Sequence, residues 1–134
     1  FSASAKEEIE VLNRAVSEIL VNTLDCYTND NSLLAATVEP LKSIIDKLTM
    51  KMRDRHVARL RTGECSGELG VVLTDYINYC DRVAGHCSNI AINVTQSGNM
   101  IFSEHDYFRE LTESEKAEYE KNRNIYKERF ALPE

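Results

Sequence analysis

Long, nearly unbroken runs of helical apolar spacing constrain this chain more than any other feature. Two prolines and five glycines are spread over 134 residues, too few for the many turns of a β-sandwich. In the first run Ile9, Leu12, Val16, Ile19, Leu20 and Leu24 recur every three or four positions, with Glu7, Glu10, Arg14 and Glu18 on the other faces. That is one stripe of an amphipathic helix, expected over Ser4 to Tyr27. The turn-forming cluster Asn29-Asp30-Asn31-Ser32 stops it.

A second helix extends to about Arg61, with Val38, Leu41, Ile44, Ile45, Leu48, Met52 and Leu60 as its core stripe. Pro40 lacks a backbone donor, so this helix either starts near Thr37 or kinks there after a short turn from Ser32. Thr62-Gly63 closes it, glycine being suited to the left-handed position after a last turn. The third helix is expected from Ser66 to Gln96, with Leu69, Leu73, Tyr76, Ile77, Cys80, Val83, Ala84, Cys87, Ile90, Ala91 and Val94 on its apolar face and Gly98-Asn99 ending it. Gly70 and Gly85 lie inside it at about 1 kcal/mol each relative to alanine, so Gly85 is expected to have a packing reason.

Thr112-Glu113-Ser114-Glu115 is a capping box that starts a final helix bearing Tyr119, Tyr126 and Phe130 on one stripe. Phe102, Tyr107 and Phe108 precede it, so burial of aromatic rings should dock this tail on its own bundle or on a neighbouring subunit. The expected fold is all-α: an up-down-up antiparallel three-helix bundle, spectrin-like, over about 4–97, plus a tail with a short C-terminal helix over about 99–134, all in one domain.

The formal net charge of −6 argues against nucleic acid as a partner, because neutralising phosphates needs a basic surface. No apolar run nears the ~20 residues of a membrane span, and there is no signal-peptide pattern, so no direct membrane insertion is expected. The chain opens at Phe1 rather than methionine, as a fragment of a larger protein would. Cys26, Cys65, Cys80 and Cys87 include no C-x-x-C pair and read as small buried residues in a reducing compartment. Asn93-Val94-Thr95 matches a glycosylation sequon but falls on a helix.

Catalytic signatures are missing. A di-iron bundle needs Glu-x-x-His pairs, yet three residues before His56, His86 and His105 stand Arg53, Val83 and Phe102. There is no H-E-x-x-H, no glycine-rich phosphate loop and no G-x-S-x-G. No enzyme and no cofactor are expected.

Two polar patterns are candidates for contact. The third helix carries Asp75, Tyr79, Arg82, His86, Asn89 and Asn93 as a stripe, either a solvated face or a docking face. The second carries Lys47, Lys51, Arg55 and Arg59, each four after the last, with Arg53, His56 and Arg61 nearby. Like charges at that spacing repel. The row is either a simple solvated face or one that faces acid, from Glu113, Glu115, Glu118 and Glu120 of the last helix or from an external anionic partner. Interaction candidates are Arg55, His56, Arg59, Asp75, Arg82, His86 and Asn89.

The run from Leu73 to Ala91, with Asp81-Arg82-Val83-Ala84-Gly85-His86-Cys87-Ser88-Asn89-Ile90-Ala91 at its centre, resembles the signature helix of PhoU domains. Val38-Glu39-Pro40-Leu41, Arg55-His56-Val57-Ala58-Arg59-Leu60, Gly63-Glu64-Cys65-Ser66, Tyr107-Phe108-Arg109-Glu110-Leu111 and the closing Arg129-Phe130-Ala131-Leu132-Pro133-Glu134 look like the version fused to bacterial sodium/phosphate cotransporters. The resemblance covers nearly the whole chain. It implies a soluble regulatory domain on the cytoplasmic side of the bacterial cell membrane, partnered by the transmembrane transport domain of the same protein and modulating phosphate uptake or reporting phosphate status. PhoU proteins usually hold two bundles in tandem and this chain has length for one, so a homodimer is compatible with it. The rival reading is a free-standing metal- or phosphate-binding helical signalling protein. The family's multinuclear metal motif is an acid followed four residues later by aspartate. Here Asp81 matches the first position but Gly85, which has no ligand atom, takes the second, so no family-type metal cluster is expected.

Overall fold

In a computed structural model, residues 1–29, 31–95 and 112–134 are described. They form α1 (Ala3–Asn29), α2 (Ser32–Thr62), α3 (Gly67–Thr95) and α4 (Glu113–Arg129), with no strand among the described residues. The expected all-α bundle with an added C-terminal helix is what the chain forms.

The ends of these helices are set by side chains the sequence supplies. Ser2 Oγ accepts the Ala5 amide at 3.2 Å, and Ser66 Oγ accepts that of Leu69 at 3.2 Å. The α4 capping box is complete, Thr112 Oγ1 accepting from Glu115 N and Glu115 Oε1 from Thr112 N. Each such cap satisfies a backbone donor that the first turn leaves free. Of the two starts open for α2, the earlier one holds: Asn31 Oδ1 accepts from Leu33 N and Leu34 N, and Pro40 lies inside the helix. Gly63 ends α2 at φ +76°, and the Glu64 amide reaches back to Arg59 O at 3.0 Å. The end expected at Gly98-Asn99 lies outside the described residues.

Short links force antiparallel neighbours, and the cross-helix partners bear this out. Asn22 of α1 bonds Thr37 of α2 while Glu8 meets Arg55. Ser88 of α3 donates to Glu39 while Asn78 accepts from Arg53. The centre is closed by Leu12 and Ile19 from α1, Leu41, Ile45 and Met52 from α2, and Ile77 and Ala84 from α3. Each large apolar side chain buried there contributes roughly 1.5–3 kcal/mol. α4 packs along α2. Its Tyr126 and Phe130 rings stack with centroids 6.2 Å apart and join the same buried cluster, with Leu132. Arg129 closes the edge, paired with Glu18 of α1 at 2.6 Å. Two of the aromatic anchors expected after residue 100 are thus buried, while Tyr119 is half-buried. Phe102, Tyr107 and Phe108 lie outside the described residues.

Two expectations about packing need correction. Leu20, Leu24, Leu60, Leu69 and Ile90, assigned to core stripes, each keep more than a third of their surface exposed, because the stripes are wider than the neighbouring helices can cover. Gly85 has no packing reason: a Cβ there would meet nothing within 4 Å. Gly70 has one, since its Cβ would come 2.9 Å from His56 Nε2. Gly85→Ala is therefore expected to raise stability by about 0.5–1 kcal/mol, read as a higher urea midpoint at unchanged slope. Gly70→Ala should lower it.

Burial pushes the Cys80 and Cys87 thiols up from 9.0 and the Tyr76, Tyr119 and Tyr126 hydroxyls up from 10.0. For Tyr76 the neighbouring Cys80 adds to burial. A group whose folded pKa is raised binds its proton more tightly when folded, so it stabilises below its ordinary value and stops doing so as pH rises past it. Stability should hold up to about pH 9 and fall progressively above it, a trend that urea titrations between pH 8 and pH 11 would record.

Candidate functional site

The seven candidate residues separate into two groups. Arg55, His56 and Arg59 turn inward. Arg55 donates to Glu8 Oε1 at 2.9 Å and to the Pro133 carbonyl. Arg59 donates to the same Glu8 oxygen at 2.5 Å and to Ser4 Oγ at 3.2 Å. Glu8 is 1% exposed, so one buried carboxylate at the start of α1 is shared by two guanidiniums near the end of α2. The carboxylate that faces this part of the row is thus neither on the last helix nor outside the chain. His56 is buried against Gly70, and its Nδ1 is buried without a partner. These three side chains hold helices together.

Asp75, Arg82, His86 and Asn89 turn outward. All four are exposed, as are Tyr79 and Asn93 between and beyond them, so the stripe is the free face of α3. Beside it runs a groove of about 360 Å³ between the C-terminal half of α1 and α3, lined by Leu20, Thr23, Leu24, Tyr27, Val83, His86, Cys87 and Ile90. Leu24 and Tyr27 are 61% and 69% exposed, so this apolar strip meets water directly. His86 belongs to both stripe and groove. Sequence reasoning found the stripe and missed the groove. Its residues share the helical spacing of the core, and periodicity does not say which part of a wide apolar face finds a partner inside the chain.

A second recess, of about 310 Å³, is lined by Asp46, Thr49, Met50, Arg53, Asp54 and Asp81. Two of its three carboxylates, Asp46 and Asp81, already have cations. Arg53 Nη2 holds Asp81 Oδ2 at 2.5 Å and bonds Asn78, and Lys42 holds Asp46 at 2.8 Å. Among the described residues, no three His, Cys, Asp or Glu side chains are placed to share a metal ion. None of Cys26, Cys65, Cys80 and Cys87 is in a disulfide, and all but Cys65 are buried.

No helix of the described residues is long and apolar enough to cross a membrane. A model of the PhoU domain matches residues 9–94, which spans nearly all of α1 to α3 and leaves α4 outside. Neither the curated proteins nor the solved structures contain a match.

Proposed function

The chain belongs to the PhoU domain family, and from that premise we propose that it is a non-catalytic regulatory domain of a membrane sodium/phosphate cotransporter family protein. A phosphate-related regulatory role comes with the family. In the narrower reading the domain sits on the cytoplasmic side of a bacterial membrane and sets phosphate uptake by touching the transport domain of the same protein. The observation that carries it is the open α1–α3 face. Leu20, Leu24, Tyr27 and Ile90 make an apolar strip with His86 in its lining, on the side of α3 next to the exposed polar stripe that also carries Asp75, Arg82 and Asn89, an apolar patch with polar groups beside it as in a protein contact. The groove offers few polar groups and no convergent donors of the kind an oxyanion needs, which favours a protein over free phosphate as its occupant.

A photo-crosslinking residue in place of Tyr27, in the full-length gene product in membranes, tests this reading. The expected product is an adduct with a cytoplasmic loop of a transport domain. A full-length product without a multi-span region, together with phosphate binding by the isolated chain in calorimetry, would favour the free-standing signalling protein. The residues do not fit a family-type metal cluster: Gly85 offers no ligand atom and Arg53 sits on Asp81. Protein prepared without chelator is expected to carry no stoichiometric iron or zinc by elemental analysis.

A further inference from the structure

The cation row of α2 divides, and its unpaired half leads to a second surface. Arg55 and Arg59 spend their charge on Glu8. Lys47 and Lys51 do not: both are exposed, and no ion pair within the described residues involves them. Lys127 of α4, exposed and likewise unpaired, completes a triangle around a groove of about 250 Å³ whose floor is Ile44, Leu48, Phe130 and Leu132. Like charges four apart on a helix repel, and here a chain of net charge −6 gathers three of them over one apolar floor.

We infer that this α2–α4 groove is a docking surface for an acidic peptide segment carrying an apolar side chain. The partner's carboxylates would pair with the three ammonium groups, and its apolar residue would drop onto the floor between them. Lysine stems lie along apolar surface while their heads stay in water, so the rim already has the two-part chemistry such a segment matches. The groove is smaller than the roughly 300–1,000 Å³ of small-molecule sites, a size suited to one inserted side chain. Inorganic phosphate would gain nothing from the apolar floor. An anionic membrane would present an extended charged surface to a chain of net charge −6, whereas a short segment meets only the three lysines around the groove. The surface lies on other helices than the α1–α3 face and does not depend on the proposed regulation of uptake.

The test uses the whole chain and a capped, dye-labelled peptide of glutamates flanking a leucine–phenylalanine pair, followed by fluorescence anisotropy. Its counterpart with lysine for every glutamate, inorganic phosphate as competitor, and phosphatidylserine vesicles form the other arms. The acidic peptide is expected to bind at least about tenfold more tightly than its counterpart and to weaken as salt rises. Lys47→Glu with Lys51→Glu should cost it about tenfold or more, and Lys127→Glu alone should act in the same direction. These lysines are exposed, so a thermal melt should show the variants folded. Equal affinity for the two peptides, or binding indifferent to all three lysines, would overturn the assignment. So would displacement by phosphate at equal concentration, or lysine-dependent binding to vesicles but not to the peptide.

Discussion

Glu8→Ala is expected to cost about 3 kcal/mol of folding stability, a large part of the roughly 5–15 kcal/mol that holds a domain folded. Glu8 is buried and accepts from both Arg55 and Arg59. Removing it leaves two facing guanidiniums without a counter-charge, and Arg59 is itself buried, with Nη1 lacking a partner. Breaking a buried pair from one side costs about 3–5 kcal/mol. The lower end applies because the Arg55 side chain is 25% exposed and water screens it. Glu8→Gln, which keeps the shape and an acceptor, should cost about half as much. Adding Arg59→Met to Glu8→Ala should recover part of the loss, since the second change removes the stranded charge. Urea denaturation followed by circular dichroism reads all three. A Glu8→Ala variant within about 0.5 kcal/mol of the parent, the usual range for an ordinary surface change, would show that the cluster does not hold the bundle.

Phe130→Ala is the second large effect, about 3 kcal/mol. α4 is polar along most of its length, and a helix of its size is marginal in water without a packed face. Its attachment rests on Tyr126 and Phe130, with Leu132 beyond. Arg129 lies over the Tyr126 ring at 5.3 Å, and the Tyr126 hydroxyl sits beside Thr37 and Asn22, which are bonded to each other. Losing the Phe130 ring opens a cavity beside Ile44 and Leu48 and frees the helix that bore it. Hydrogen exchange should therefore speed up first in α4, with the amides at the centre of α1 to α3 keeping their protection. Equal acceleration throughout the chain would mean that α4 is part of the bundle's own cooperative unit rather than a docked addition.

The sequence made the helices legible because their caps are local chemistry. Thr112 with Glu115, and Gly63 after Thr62, announce an end with a few neighbouring side chains, and those ends appear where expected. Pro40 misled in part. A proline can be tolerated inside a helix when tertiary packing holds it, and nothing local decides between that and a later start. The partner of the cation row was sought among the glutamates of the last helix or outside the chain, yet for Arg55 and Arg59 it is Glu8. The short link between Asn29 and Ser32 folds α1 back along α2, so the first residues of α1 meet the last turns of α2. The need for a carboxylate could be read from the repelling arginines, but its identity depended on which helices pair. The open α1–α3 groove was illegible for a related reason. Leu20, Leu24 and Ile90 have the same period as Leu12, Ile19 and Ala84, and only the bundle's geometry separates covered from uncovered.

Phosphate uptake by the full-length gene product carrying Leu24→Glu and Ile90→Glu tests the central claim most directly. Both positions are exposed, so the fold should survive, as the melting curve of the isolated chain would verify. Uptake whose dependence on external phosphate is altered or lost, with the protein still folded and present in the membrane, is the predicted result. Uptake identical to the parent at every phosphate concentration would contradict the account.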